Sequence, residues 1–207
     1  MRVKLPESIK NRVEYKRKYN LCELYVAFIY LPRALVKLAS NKRSKLVDKQ
    51  FTERLMLAVT EVNGCAACSY AHTLMALRQG MSNEEINSFL EGDSKFTKPE
   101  EAKAIFFAQH YANSRGIPAK EAYEVVVNEY GSVKASIFLS AVQVMMAANM
   151  YGIPYSAFIS RLHGKPYQDS TLLFELWIQI VGVLILPITF VHGLSLWIIG
   201  KQNIKFA

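Results

Sequence analysis

The chain has 207 residues, 51% of them hydrophobic and 20% charged, which is enough for one sizeable core or one domain with an appendage. The three cysteines exclude a disulfide framework of the secreted kind and favour a reducing compartment. The net charge is +8, but outside two clusters, at residues 10–18 and 42–49, the Lys and Arg residues are dispersed. They form no basic motif with interleaved aromatics, so we predict no nucleic-acid partner. No apolar run follows the first basic residues, and we expect no cleavable secretory signal.

Apolar residues recur at helical spacing almost throughout, and strand-like alternation is scarce, so we predict an all-α fold. The predicted helices cover residues 7–19, 21–39, 44–62, 65–79, 83–91, 98–115, 118–130, 133–150 and 155–163, followed by an apolar helix within 172–200. We divide the chain into a basic N-terminal helix (1–20), a helical domain (21–166) and a hydrophobic anchor helix (172–200).

Residues that begin and end helices support these boundaries. Ser82 with Glu85 is typical of a capping box, and Thr97 to Glu100 resembles a second one with Pro99 in the first turn. Glycines that can adopt the left-handed conformation follow four of the periodic runs, at positions 80, 92, 116 and 131.

The most informative stretch contains Cys65, Cys68 and His72. Asn63 and Gly64 predict a break, so we expect Cys65 in the first turn of the next helix. There the unpaired N–H groups and the positive end of the helix dipole favour a thiolate. At about 100° per residue, all three side chains lie within about 60° of one another on one helix face.

These three residues can carry a complete dithiol cycle. His72 can take the proton of Cys68, and Cys65 can attack the oxidised sulfur to close a disulfide. Glu53, on the preceding helix, can orient the imidazole if the two helices pack antiparallel, since a histidine needs a partner that fixes its tautomer. Glu61 is nearer in sequence, but we expect it to point elsewhere and keep it as the second choice for that partner.

The series Glu53, eleven residues, Cys65, two residues, Cys68, three residues, His72 resembles the signature of the alkylhydroperoxidase D-like (AhpD-like) branch of the carboxymuconolactone decarboxylase superfamily. The likeness covers roughly residues 20–165, including a closing segment from Ala148 to Pro166. It implies an all-α helical bundle that is usually oligomeric and reduces hydroperoxides with its cysteine pair.

The same resemblance implies individual roles. Cys68 would attack the peroxide, Cys65 would resolve the oxidised sulfur, and His72 and Glu53 would relay protons through water. The best-known members have a histidine between the cysteines, where this chain has Ala67. The decarboxylases that name the superfamily lack the cysteine pair, which argues against decarboxylation.

Other interpretations of these residues stay open at this point. Cys65 and Cys68 could be buried small hydrophobes, or they could bind a metal with His72 and Glu53 as the remaining ligands. His72 could be a core histidine and Glu53 part of a structural ion pair with an arginine such as Arg54. Cys22 has no partner in sequence, and we expect it to be inert core.

An apolar tail follows the domain. From Leu176 to Gly200 there are 25 residues without Asp, Glu, Lys or Arg. At about 1.5 Å per residue a helix of that length exceeds the roughly 30 Å hydrocarbon core of a bilayer, so it can span a membrane. Trp177 and Trp197 would lie near the two interfaces, with Lys201 and Lys205 as an anchor. The alternative is a buried oligomerisation helix.

We therefore expect a thiol-dependent peroxidase that uses no cofactor beyond the Cys65–Cys68 disulfide and an external dithiol reductant protein. The expected substrate is a hydroperoxide, the protein is expected to be a homo-oligomer, and no metal is expected. We expect membrane anchoring with the catalytic domain in the cytoplasm. The alternatives are a membrane-associated dithiol-disulfide exchange protein and a non-catalytic helical scaffold.

Overall fold

The computed structural model describes residues 15–207, and within them every regular element is helical, which confirms the all-α class. The helices are α1 (Leu21–Ser44), α2 (Lys49–Asn63), α3 (Ala66–Arg78), α4 (Asn83–Glu91), a 3-10 turn (Pro99–Glu101), α5 (Ala102–Asn113), α6 (Lys120–Leu162) and α7 (Leu172–Ile198).

The centre of the fold is α6, which packs against α1, α2, α3, α5 and α7. Its backbone bends at Gly131, where φ is 78° and ψ is 156°, so the break predicted at this glycine is present. Beyond the bend, most residues from Ala135 to Ala157 are buried. This second segment of α6 is the central, buried helix against which the other helices pack.

Two predicted features of the chain are corrected. The break predicted between residues 150 and 155 is absent, because α6 continues through Pro154 with Ile153, Pro154 and Ala157 all buried. Packing on several sides holds this helix through a glycine and a proline that would end an isolated one. The capping box predicted at Thr97 does not form, since the chain enters a 3-10 turn after Lys98 with no side-chain cap.

Other helix ends follow the sequence prediction. The Glu85 N–H donates to Ser82 Oγ at 3.1 Å and starts α4 as predicted. The N-terminal helix predicted at residues 7–19 lies mostly outside the described residues, and residues 15–20 are not helical.

The C-terminal apolar helix is present as α7, and it packs along α1 and α6. In the described part of the chain, α6 and α7 are both long and apolar enough to cross a membrane by length and composition. They differ in surroundings, since 72% of the relevant window of α6 is buried but only 22% of that of α7. His192 of α7 faces α1, where its Nδ1 lies 3.1 Å from the hydroxyl of Tyr25.

Candidate active site

A tight turn between α2 and α3 builds the site. Gly64 ends α2 with φ 74°, and its N–H donates to Thr60 O at 2.8 Å. A Cβ at this position would lie 2.6 Å from the backbone nitrogen of Lys16, so both the conformation and the space require glycine. The turn places α3 beside α2.

The residue before this turn is also fixed. The hydroxyl of Tyr19 donates to Asn63 Oδ1 at 2.6 Å, and the Asn63 amide donates to Met146 Sδ of α6 at 3.3 Å. Burial raises the pKa of Tyr19 to about 12, against the opposing effect of Arg17 and Arg115. Tyr19 therefore remains a proton donor at neutral pH and anchors the end of α2.

Cys65 and Cys68 are joined as a disulfide at the start of α3, with their Cα atoms 5.3 Å apart. Cys65 is the N-cap residue rather than part of the first turn as predicted, and its sulfur accepts the N–H of Cys68 at 3.3 Å. Cys65 is fully buried, whereas Cys68 keeps 7% of its surface exposed. Cys68 is therefore the sulfur closer to solvent.

The second segment of α6 closes the site from behind. A Cβ on Gly152 would lie 2.9 Å from the sulfurs of both Cys65 and Cys68, so only glycine lets α6 approach the disulfide this closely. One turn further on, Ser156 Oγ accepts the N–H of Ala67 at 3.0 Å and donates to Gly152 O at 2.8 Å. Ser156 thus caps a free N–H of α3 from another helix.

Glu53 and His72 meet beside the disulfide helix. His72 Nδ1 lies 2.5 Å from Glu53 Oε1, and the two side chains are 13% and 6% exposed. His72 follows Cys68 by four residues on α3, so both lie on one face of the helix. Gln79 Nε2 approaches the second carboxylate oxygen of Glu53 at 3.5 Å. The predicted contact is therefore present, with Nδ1 bound to the carboxylate and Nε2 left for other partners.

Glu61 points away from His72, as expected of the second choice, and pairs with Lys16 at 2.5 Å. One residue differs from its predicted surroundings. Cys22, expected in the core, is exposed near the start of α1.

Sequence reasoning missed three participants in this site. The sulfurs lie against Gly152, the start of α3 is capped by Ser156, and Glu53 is approached by Gln79. Ala67 and Ser156 are 89 residues apart, and no spacing rule links them. For Gly152 a signal existed, since a glycine inside a buried apolar helix often marks a close approach.

In the part of the chain that the structure describes, no group of three or more His, Cys, Asp or Glu side chains is arranged to hold a metal ion.

Comparison with family models matches residues 31–109 to the carboxymuconolactone decarboxylase family. The matched stretch runs from α1 into α5 and contains all four predicted site residues. No curated protein and no solved structure matched the chain in these comparisons.

Proposed function

We propose that this chain, whose residues 31–109 match the model of the carboxymuconolactone decarboxylase family, is a thiol-dependent peroxidase of the AhpD-like branch. One observation carries the proposal. A disulfide lies at the N-terminus of α3, and the next turn of the same helix presents a histidine that a buried carboxylate orients. Such a combination of a dithiol and a held proton carrier suits two-electron reduction of a peroxide.

The reaction starts from the reduced pair. The Cys68 thiolate attacks the terminal oxygen of the hydroperoxide and breaks the O–O bond, which gives a sulfenic acid on Cys68 and, after protonation, an alcohol. The Cys65 thiol then attacks this sulfur, which closes the disulfide and releases water. An external dithiol restores the two thiols and is itself oxidised to a disulfide. The greater exposure of Cys68 supports its role as the attacking residue.

In this proposal His72 moves the protons. It takes the proton of Cys68 before attack and returns one to the leaving alkoxide, directly or through a water molecule. Glu53 is a positioning residue, because its carboxylate holds Nδ1 of His72 and so leaves Nε2 as the ring nitrogen that would exchange protons with the reacting groups.

We further propose that α7 associates the protein with a membrane and keeps the domain on the cytoplasmic side, where dithiol reductants are available. Many apolar side chains of α7 are exposed, as in a helix that contacts lipid. The family resemblance supports a homo-oligomer.

The decisive experiment measures consumption of cumene hydroperoxide by detergent-solubilised full-length protein with dithiothreitol as reductant. Cys68→Ser removes the attacking thiol, so we expect consumption to fall to the uncatalysed rate. Cys22→Ser is the matched control and should retain full activity, because Cys22 is an exposed cysteine outside the pair. Absence of consumption by the unmodified protein, or equal rates with and without Cys68, would reject the peroxidase.

One observation favours a second candidate, a dithiol-disulfide exchange protein. Ala67 stands where the best-known AhpD-like proteins carry a further histidine, and its methyl side chain cannot relay protons. An exchange protein would oxidise or reduce a disulfide substrate through Cys65 and Cys68 without consuming peroxide. The same preparations, given an oxidised dithiol substrate in place of peroxide, distinguish the two functions.

A further inference from the structure

The two faces of α7 have different surroundings. Toward the domain it presents a narrow stripe of buried residues at helical spacing: Glu175, Ile178, Gly182, Thr189 and Gly193. Most of its remaining circumference is exposed and apolar: Leu173, Leu176, Trp177, Ile180, Val183, Leu184, Leu186, Ile188, Phe190, Val191, Leu194, Trp197 and Ile198. An apolar surface of this extent requires a partner.

The inner stripe of α7 lies very close to the domain. A Cβ on Gly182 would lie 2.8 Å from the ring of Tyr151, and a Cβ on Gly193 would overlap the backbone carbonyl of Ile29. The side-chain amide of Gln179 also donates to Tyr151 O at 2.8 Å. The middle of α7 is therefore a packed part of the fold rather than a free tether.

Both ends of α7 are attached to the same domain. At its start, Arg161 of α6 forms a bidentate ion pair with the fully buried Glu175, with both N···O distances 2.7 Å. Beyond its end, the Asn203 side chain donates to Gln143 Oε1 of α6 at 2.9 Å. The N–H of Ala207 donates to Pro118 O at 3.1 Å.

These attachments restrict how α7 can meet a bilayer. A helix that crossed the membrane would place residues 201–207 on the side opposite the domain, and the contacts of Asn203 and Ala207 would be lost. We propose that α7 instead lies in the membrane plane, with its exposed face in the acyl chains of one leaflet and both its ends on the side of the domain. This inference rests on the membrane association proposed above and not on the peroxidase chemistry.

The shape and charge of this surface fit lipid better than a second copy of the chain. The exposed apolar side chains surround most of a convex helix, and a rigid protein face covers only one side of such a cylinder, whereas acyl chains adapt to it. The segment after α7 is basic, since Lys201 and Lys205 are exposed there, whereas before α7 the exposed Lys165 is balanced by the exposed Asp169. Anionic headgroups would complement these lysines.

A labelling experiment distinguishes the in-plane and spanning arrangements. In a Cys22→Ser background, Ser94→Cys marks an exposed loop of the domain and Gln202→Cys marks the exposed segment after α7. The full-length protein, with the Cys65–Cys68 pair oxidised, is reconstituted into vesicles of phosphatidylcholine and phosphatidylglycerol and treated with a membrane-impermeant maleimide. Intact mass should show molecules with two labels or none. A main population with one label would overturn the proposal in favour of a spanning helix.

Flotation with the same vesicles tests the lipid-facing surface itself. Val183→Glu combined with Leu184→Glu places two carboxylates on the exposed face, and we expect vesicle partitioning to fall by about tenfold or more. Phe106→Glu is the matched control, because Phe106 is 65% exposed on α5, away from α7, and partitioning should not change. If the full-length protein does not float with the vesicles and instead forms a dimer through α7, the proposal is overturned. Peroxide consumption in detergent reports the proposed reaction separately.

Discussion

Glu53 and Arg54 are consecutive residues on α2, and their buried side chains form hydrogen bonds on different sides of the helix. Glu53 is bound to His72, whose side chain is 13% exposed. Arg54 is 1% exposed, and it binds Glu101 through two hydrogen bonds of 2.6 and 2.7 Å and Glu85 through one of 2.9 Å. One pair faces the disulfide helix, whereas the other joins α2 to α4 and to the 3-10 turn before α5.

The difference between the pairs lies in which proton can move. Burial alone lowers the pKa of Arg54, but hydrogen bonds and attraction from Glu101 and Glu85 outweigh it and raise this pKa, so the guanidinium remains ionised. His72 instead keeps 13% of its side chain exposed, and its imidazole has a second ring nitrogen besides the one that contacts Glu53. Two adjacent buried pairs on one helix therefore suit different tasks: the Arg54 cluster holds helices together, and the Glu53–His72 pair can take part in chemistry.

The largest effect on stability should come from Arg54→Met. This change removes the guanidinium that pairs with Glu85 and Glu101 and leaves only Lys98, 3.9 Å from Glu101, and breaking a buried ion pair from one side costs about 3–5 kcal/mol. Chemical denaturation in detergent should show this decrease in unfolding free energy. Arg78→Met is the matched control, because Arg78 is exposed on α3 and should change stability by less than about 0.5 kcal/mol. If Arg54→Met and Arg78→Met lowered the unfolding free energy equally, the Arg54 cluster would not be what holds these helices together.

Glu53→Gln should give the opposite result, with activity affected more than stability. Glutamine can still accept a hydrogen bond from His72 but cannot stabilise an imidazolium, so we expect hydroperoxide consumption to fall by about 10²-fold. The unfolding free energy should change by about 1 kcal/mol or less.

Glu61→Gln is the control for this change, since Glu61 lies on the same helix and pairs with the partly exposed Lys16. It should leave the rate of hydroperoxide consumption unaltered. A Glu53→Gln variant that loses stability as Arg54→Met does, with normal turnover once folded, would make Glu53 a structural residue too.

Sequence predicts those parts of the site whose residues lie close together in the chain. Cys65, Cys68 and His72 share one helix, and Glu53 lies on the helix just before it, so a turn at Gly64 is enough to bring them together. The partner of Arg54 could not be chosen in this way, because Glu101 is 47 residues away and depends on how α5 packs.

The fold shows the same limit. Helix starts with a local chemical cause, such as Ser82, were predictable, whereas the continuation of α6 through Pro154 depends on burial from other helices. Likewise, the composition of α7 predicts a membrane span, but the attachment of its two ends to the domain depends on tertiary contacts of Glu175 and Asn203.

A loss of stability smaller than that of Arg54→Met is expected from Gly152→Ala, which leaves the contacts of Glu53 and Arg54 intact and alters only the packing behind the sulfurs. The new Cβ would lie 2.9 Å from both sulfurs, and overpacking of this kind costs about 1–3 kcal/mol. We expect a larger loss in the oxidised protein than in the reduced one, because an unbonded Cys68 can turn towards solvent and make room. Alkylation and mass spectrometry in glutathione buffers should therefore find Cys65 and Cys68 reduced more readily than in the unmodified protein. If the oxidised fraction does not change while Glu53→Gln still slows turnover, the close approach of α6 serves packing alone, and the chemistry depends on the Glu53–His72 side of α3.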